Sequence, residues 1–190
     1  RNSEVKKKKI FSFLVTGATG GVGSIACLLG KILGWNVVAL TRDVKKNRNY
    51  LKSIGVKNVM STKEFLSSPS MHLLNPEYDA IMECLGGTYL RNSVKKLKNN
   101  GVCAVAGLID SQDLSGLSVL PFLMRGVCLV GTGSEVLNHK KRSEAFKLIG
   151  KLIKSRYLKK IRKKIYFNQV NNCLEQWSKS KNKGRVIIKN

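Results

Sequence analysis

Short apolar runs alternate with amphipathic stretches along this chain, and the alternation predicts its elements. Within residues 21–33, apolar side chains recur at helical spacing, and Gly34 follows as a stop signal. This order of elements predicts an α/β fold with a parallel sheet flanked by helices. Predicted strands span residues 10–16, 36–40, 58–60, 78–83, 103–106 and 126–130, and predicted helices span residues 21–33, 47–54, 90–97 and 140–155.

The segments between and after these elements are less regular. Residues 61–77 contain serine and proline and predict a loop with one helical turn, and residues 99–101 predict a tight turn. A further loop runs to Pro121, and the tail predicts a strand at 165–167, a helix at 170–177 and a strand at 185–188. The length of 190 residues suits one domain, and we predict a doubly wound Rossmann sheet with right-handed crossovers.

A glycine-rich turn joins the first predicted strand to the first predicted helix. From Val15 it reads Val-Thr-Gly-Ala-Thr-Gly-Gly-Val-Gly-Ser. Glycine torsions allow a tight turn, and the missing side chains let a pyrophosphate approach the backbone. The helix N-terminus adds free N–H donors and a partial positive charge, while Gly23 lets the helix pack closely. We predict a dinucleotide site; the alternative is a glycine turn in a Rossmann-like fold without a ligand.

The residues after the second predicted strand bear on the choice between NAD and NADP. An acid about 20 residues beyond the glycine turn binds the ribose hydroxyls in NAD enzymes. This chain has Leu40-Thr41-Arg42 there, and Asp43 follows one step later. A hydroxyl beside a guanidinium suits a 2′-phosphate, because arginine can bond it bidentately. We predict NADPH, and Asp43 keeps NADH as the alternative.

The charge of the chain is strongly positive, with 35 Lys and Arg against 11 acids and a formal net charge of +24. Such a field attracts nucleic acid, anionic lipid or phosphorylated molecules, although a solvated lysine-rich surface is the simpler interpretation. A nucleic-acid-binding module is an alternative function, and a CoA phosphate is another partner for the same patch. Aromatic residues are sparse there and no recognised binding motif is present. The patch comprises Lys151, Lys154, Arg156, Lys159, Lys160, Arg162, Lys163 and Lys164.

Metal ligation and membrane insertion have no sequence support. The five cysteines are widely spaced without a Cys-x-x-Cys pair, and His72 and His139 are isolated, so we predict no metal site. Unpaired cysteines in apolar surroundings favour a reducing compartment, and we predict the cytoplasm, with an organelle as the alternative. No apolar run reaches the roughly 18 residues that a membrane span needs.

Several further segments carry a family resemblance when taken together in this order. They are Val15-Thr-Gly-Ala-Thr-Gly-Gly-Val-Gly23, Tyr50-Leu-Lys-Ser-Ile-Gly55, Leu85-Gly-Gly87, Ala106-Gly-Leu108, Leu120-Pro-Phe-Leu-Met-Arg-Gly-Val127 and Gly184-Arg-Val-Ile-Ile-Lys189. The chain resembles the cofactor domain of the medium-chain dehydrogenase/reductase superfamily, in its zinc-free quinone oxidoreductase and acryloyl-CoA reductase-like branch. Short-chain dehydrogenases share the glycine turn, but they need a Tyr-x-x-x-Lys pair, which none of the five tyrosines here provides.

The resemblance implies a map of the cofactor along the chain. The glycine turn would face the pyrophosphate, the end of the second strand the adenosine phosphate, the loop after the fourth strand the riboses, and the loop after the fifth strand the nicotinamide. Arg185 would reach the cofactor or a neighbouring domain. The other residues are, in that order, Thr19, Gly20, Gly21 and Val22; Thr41 and Arg42; Leu85 and Gly86; and Ala106, Gly107 and Leu108.

The resemblance also implies a function and a missing part. Such enzymes carry an N-terminal GroES-like barrel domain, which is absent from these 190 residues, so residues 1–190 would form one Rossmann domain. Residues 165–190 would pack against that barrel, and no catalytic residue is assigned because the proton donor would lie there.

The implied activity is transfer of hydride from NADPH to an electron-poor double bond of a small molecule, a quinone or an enoyl thioester. A non-catalytic NADPH-binding protein is the alternative. Because the strand from Gly126 to Val130 would be a sheet edge, we expect a homodimer there.

Overall fold

The computed structural model describes residues 10–178 and 182–189. Its main sheet has six parallel strands in the order β3-β2-β1-β4-β5-β6. The order reverses between β1 and β4, and ligands of such sheets bind at that switch point, outside the carboxyl ends of the strands. The predicted doubly wound α/β fold is therefore confirmed. The strands are β1 (Ser12–Val15), β2 (Asn36–Thr41), β3 (Asn58–Ser61), β4 (Tyr78–Glu83), β5 (Leu97–Val105) and β6 (Cys128–Gly131).

Helices cover both faces of this sheet and form two separate cores. Successive residues of a strand point to opposite faces, so Val15 lies in the core beneath the first helix, and its neighbour Leu14 lies in the core on the other face. Both side chains are fully buried. The helices are α1 (Gly21–Ile32), α2 (Val44–Ser53), α3 (Thr62–Leu66), α4 (Gly87–Lys95), α5 (Leu120–Arg125), α6 (His139–Leu152), α7 (Ser155–Ile161) and α8 (Val170–Ser178).

Two helices begin about one turn before their predicted starts. α2 begins at Val44 because the Asp43 side chain caps it, accepting a hydrogen bond from Lys46 N at 2.9 Å. α4 begins at Gly87, because the double glycine that was expected to end the strand starts the helix instead. The helical turn predicted within residues 61–77 is α3, which the Ser61 side chain caps at Glu64 N.

The prediction around residues 97–101 was wrong. The last residue of the predicted helix, Leu97, and the predicted turn belong to β5, whose pairing with β4 passes from Leu97–Tyr78 to Val102–Ala80. Residues 98–101 therefore form a wide bulge, where Asn100 has a φ of +58°. Pairing of β5 with β4 therefore keeps these residues in a strand, although the local sequence predicts a turn.

Two helices were not predicted at all. α5 begins where the expected loop ends and covers residues to which no element was assigned, and Pro121 is tolerated in its first turn. Gly126 ends it in the left-handed conformation, so the edge strand β6 starts at Cys128 rather than at residue 126. The helix predicted to reach residue 155 ends at Leu152, since Ile153 and Lys154 are extended, and α7 follows.

The tail forms a small sheet of its own. β7 (Arg162–Tyr166) pairs in parallel with β8 (Arg185–Lys189), and a short 3₁₀ turn at Phe167–Gln169 leads into α8. Ile165 is buried, whereas Phe167 is 76% exposed and Trp177 is 50% exposed. Within residues 10–178 and 182–189, no helix is long and apolar enough to cross a membrane.

Candidate cofactor-binding cleft

The glycine turn occupies the carboxyl end of β1, as the sequence predicts. Gly20 N donates to Gly17 O at 2.9 Å, and Gly17 has a φ of +56°. Gly20 caps α1, so the first-turn amides of Gly21, Val22 and Gly23 have no carbonyl of their own helix to bond. A Cβ at Gly23 would lie 2.8 Å from Ala18 Cα, which shows how closely α1 starts against the turn. The turn therefore presents donors and the positive end of a helix dipole to an anion.

Two loops form the opposite wall of this cleft. The loop after β4 contains Leu85 and Gly86, and the loop after β5 contains Ala106, Gly107 and Leu108. Asp110 N donates to Leu85 O at 2.7 Å, and Gly86 forms a bridge with Ser111. These contacts bring five predicted residues together at the ends of neighbouring parallel strands.

A cavity of about 370 Å³ lies between these loops and the end of β6. Its lining includes Gly86, Ala106, Gly107 and Leu108, and Thr132 closes it from the end of β6. Leu108 is 66% exposed, so the cavity has an apolar rim open to solvent. This volume falls within the range of small-molecule sites.

A buried carboxylate holds the two walls together, and sequence reasoning missed it. Thr16 Oγ1 donates to Glu83 Oε1 at 2.8 Å, while Leu85 N and Gly86 N donate to Glu83 Oε1 and Oε2 at 3.0 and 2.8 Å. Thr16 Oγ1 in turn accepts from Cys84 N at 2.8 Å. Glu83 is fully buried. A charged residue at the last position of a central apolar strand was the available signal, because a buried charge requires donors around it.

Burial has the largest effect on the pKa values of Glu83 and its neighbour Cys84. Burial raises the pKa of the Glu83 carboxyl, and the hydrogen bonds from Gly86, Thr16 and Leu85 oppose that rise. Burial also raises the pKa of Cys84 to about 12, with the nearby Glu83 adding to the effect. The Cys84 thiol is therefore neutral near pH 7 and is not a thiolate nucleophile.

The three residues at the end of β2, Thr41, Arg42 and Asp43, lie in different surroundings. Thr41 is 5% exposed, and its Oγ1 accepts from Asn47 Nδ2 at 2.8 Å. Arg42 is exposed, and the Asp43 carboxylate is engaged in the α2 cap. Arg42 is thus the accessible cation beside the cleft, whereas the Thr41 hydroxyl is largely covered.

The tail crosses the glycine turn. Gly184 N donates to Thr19 O at 2.8 Å. The Arg185 guanidinium lies directly over Gly21, where a Cβ would be 2.5 Å from Arg185 Cζ and Nε. Within the described part of the chain, Arg185 forms no ion pair. A cation without an acidic partner therefore stands at the positive end of α1.

Neither a metal centre nor a catalytic acid–base pair is evident at the cleft. Among residues 10–178 and 182–189, no three His, Cys, Asp or Glu side chains come together in a way that could hold a metal ion. Hydride transfer is chemistry that a nicotinamide cofactor supplies, and a protein contributes position and electrostatics. The cleft of this chain offers binding groups rather than reacting groups.

Comparison with known proteins places the chain among oxidoreductases. The family described as zinc-binding dehydrogenase matches residues 21–151. The putative quinone oxidoreductase YhfP of Bacillus subtilis is 29% identical over 94% of this chain and 54% of its own length. The probable acrylyl-CoA reductase AcuI of Escherichia coli is 30% identical over 93% of this chain and 53% of its own.

Comparison with solved structures also finds proteins named as oxidoreductases. The YhdH oxidoreductase of Salmonella enterica in complex with NADP has a TM-score of 0.88 and 27% identity over 95% of this chain and 54% of its own. The YhfP structure with NAD bound has a TM-score of 0.86 and 30% identity over the same shares. The chain spans about half the length of the relatives it matches. It belongs to the zinc-binding dehydrogenase family, in the quinone oxidoreductase and acrylyl-CoA reductase-like branch of the medium-chain dehydrogenase/reductase superfamily.

Proposed function

We propose that this chain is the NADPH-binding half of an oxidoreductase that passes hydride to an electron-poor double bond of a small molecule, a quinone or an enoyl thioester. The relatives named as quinone oxidoreductase and acrylyl-CoA reductase support this reaction class. The observation that carries the proposal is that free helix amides and the Arg185 guanidinium lie at the glycine turn after β1, while an apolar cavity lies along the neighbouring strand ends of β4, β5 and β6. A basic nucleic-acid module is not favoured, because family membership accounts for the fold and the cleft.

The pyrophosphate would lie at the mouth of the glycine turn, beside the Arg185 guanidinium that covers Gly21. The amides of Gly21 and Val22 would donate to it, with Thr19 and Gly20 forming the edge of the turn. The partial positive charge at the N-terminus of α1 and the full positive charge of the Arg185 guanidinium lie close together there and repel each other. An anion that contacts both would offset this repulsion, and arginine can donate two parallel hydrogen bonds to phosphate oxygens.

The adenosine phosphate would contact the end of β2. Arg42 is exposed there, whereas the Asp43 carboxylate already accepts the Lys46 amide. This arrangement favours a 2′-phosphate over free ribose hydroxyls. Thr41 would contribute only its partly covered hydroxyl. The NADP complex of YhdH supports NADPH, and the NAD complex of YhfP keeps NADH as a second coenzyme.

The riboses and nicotinamide would follow the opposite wall. Leu85 and Gly86 would border the riboses, and Ala106, Gly107 and Leu108 would border the nicotinamide, which transfers the hydride when it is bound. The rim at Leu108 and Ile109 is 66% and 83% exposed. We propose that a barrel-like domain covers this rim and supplies the substrate pocket, and that it also packs on tail residues 165–190.

Assembly and location extend the proposal. β6 is an edge strand of the main sheet, and Val130 on it is 46% exposed beside the 67% exposed Met124 of α5. We propose that two copies pair along this edge, which would satisfy its free backbone groups. The free thiols of the chain favour a reducing compartment, and we propose the cytoplasm.

Calorimetric titration of the full 190-residue chain tests the coenzyme proposal. We expect NADPH to bind with micromolar affinity and NADH more weakly. Arg42→Ala should weaken NADPH about tenfold and leave NADH unchanged, because a charge-assisted hydrogen bond to the 2′-phosphate is lost. Lys57→Ala, just before the amino end of β3, removes the same charge from an exposed position at the opposite edge of the sheet and serves as the matched control. Absence of heat with both coenzymes would contradict the proposal, and equal losses in the two variants would contradict the role of Arg42.

A further inference from the structure

A second cavity, of about 540 Å³, lies where the C-terminal ends of α1 and α2 meet α7. We call it the basic groove. Leu28 and Ile54, both buried, contribute to its floor together with Leu152. The glycine turn is at the other end of α1, which is about 18 Å long at 1.5 Å per residue. The groove is therefore separate from the cofactor cleft.

The walls of the basic groove carry cations and no acid. Five basic side chains line it: Lys31, Lys52, Lys154, Arg156 and Lys160. Two helix C-termini also point to this region, and each contributes a partial charge of about −0.5. These partial charges offset about one of the five cations, so the groove keeps an excess of about four positive charges. No aspartate or glutamate in the described part of the chain lines it.

Part of the groove is already fixed in place. Lys160 Nζ donates to Ser53 O at 2.9 Å, which ties α7 to the end of α2. The stem of Lys31 packs over Gly55, where a Cβ would lie 2.8 Å from Lys31 Cγ. Because these two side chains are already held in place, their ordering would cost less conformational entropy when a ligand binds.

An aromatic ring adds a second kind of surface. Arg156 Cζ lies 5.0 Å and Lys160 Nζ 6.0 Å from the centre of the Tyr157 ring. The hydrogen bond from Arg156 lowers the pKa of the Tyr157 phenol, with the charges of Arg156, Lys154 and Lys160 acting in the same direction. The groove therefore combines apolar floor, aromatic ring and converging cations.

We propose that the basic groove binds a small molecule that carries two or more phosphate groups. A cavity of this size suits a discrete ligand rather than an extended polymer. About four excess charges match a di- or triphosphate better than a single phosphate or carboxylate. This site is additional to the cofactor cleft and does not depend on the coenzyme proposal.

The test uses inorganic tripolyphosphate as the probe. The full chain is titrated by calorimetry without NADPH, because NADPH itself carries three phosphate groups and would compete for the groove. We expect tripolyphosphate to bind much more tightly than monophosphate, and the variants below assign that binding to the groove. The double variant Lys52→Glu/Arg156→Glu takes one cation from each wall and should lower affinity at least tenfold, while NADPH affinity stays unchanged. If that variant does not fold, Lys52→Gln/Arg156→Gln should show the same loss to a smaller extent.

The matched control reverses two charges elsewhere. Lys140→Glu/Lys141→Glu changes the net charge equally at the far end of α6. Tripolyphosphate affinity should hardly change in this control. An equal loss in both double variants would overturn the proposal, because it would show a diffuse field over the lysine-rich surface. A loss of affinity for a 20-nucleotide RNA without a loss for tripolyphosphate would also overturn it.

Discussion

Glu83 and Thr16 connect three strand ends at the mouth of the proposed coenzyme site. The Glu83 side chain accepts from Thr16, Leu85 and Gly86, and its backbone carbonyl accepts from Ala106 N at 2.7 Å. β1, β4 and the loops after β4 and β5 are therefore fixed relative to one another by one residue. Side-chain identity at these two positions should affect both stability and coenzyme affinity.

The first prediction concerns Thr16→Val, which keeps the shape and removes the hydroxyl. The Cys84 amide loses its acceptor and the Glu83 carboxylate loses a donor, both in buried surroundings. The free energy of unfolding should fall by about 2–3 kcal/mol in urea denaturation, and NADPH should bind more weakly. Thr16→Ser keeps the hydroxyl and should retain most of both. Equal losses in the two variants would contradict the role of the hydroxyl, because Thr16→Val keeps the methyl group and Thr16→Ser keeps the hydroxyl.

The second prediction concerns pH and Glu83. Because burial raises the pKa of this carboxyl, the folded protein holds the proton more tightly than the unfolded chain. The stabilising contribution is complete below the ordinary glutamate pKa and is lost as pH rises through the native value. Glu83→Gln cannot ionise, so wild type should lose stability relative to this variant in urea denaturation as pH rises above the ordinary glutamate pKa of about 4.3. A difference that grows in favour of wild type would show that the three donors outweigh burial.

At the scale of elements, the start of α2 sets what the end of β2 exposes. Asp43 caps α2 through Lys46 N, and Asn47 of the first turn holds the Thr41 hydroxyl. Arg42, between strand and helix, is left exposed. Under the proposed function, the helix cap would bear on coenzyme choice, because it engages Asp43, the acid that follows β2.

The third prediction separates the cap from a ribose contact. Asp43→Ala should lower the free energy of unfolding by about 1 kcal/mol through loss of the cap. Asp43→Asn keeps the capping oxygen, so stability and the affinities for NADPH and NADH should stay near wild type in denaturation and calorimetry. A selective loss of NADH affinity in the Asn variant would show that the carboxylate binds the ribose and that the cap is secondary.

At the scale of the whole molecule, apolar side chains at the β6 edge and on α5 remain exposed. Val119 and Leu123 are 66% and 75% exposed, and Val130 faces solvent in the strand itself. An apolar patch at a sheet edge is typical of a protein–protein interface. The tail sheet exposes a second set of apolar side chains, which the proposed barrel domain would cover.

The fourth prediction addresses the β6 edge. Val130→Lys places a charge in the proposed dimer interface and should shift sedimentation velocity from dimer to monomer, because a buried unpaired charge is costly. Met71→Lys alters an equally exposed apolar residue in the loop after α3 and should leave the dimer intact. A wild-type chain that sediments as a monomer at all concentrations would contradict the interface, and so would dissociation of both variants.

The sequence by itself determined the parallel doubly wound order and the glycine turn. Both depend on local periodicity and on residues whose torsions are special, so they can be recognised without knowing any distant contact. It also indicated that residues 85–86, 106–108 and 185 belong with the turn, through their resemblance to a family. The structure brings these segments together in space, while their roles in binding stay predictions.

Tertiary structure alone decided the features that depend on pairing across the chain. The turn signal at residues 99–101 became a bulge because β5 pairs with β4 on both sides of it. Thr16 and Glu83 are 67 residues apart, and their hydrogen bond exists only because β1 and β4 are neighbours in the sheet. The basic groove likewise joins α1, α2 and α7, whose separation in sequence hides the convergence of their lysines. Local patterns fix which elements form, and the long-range packing of those elements fixes which side chains meet.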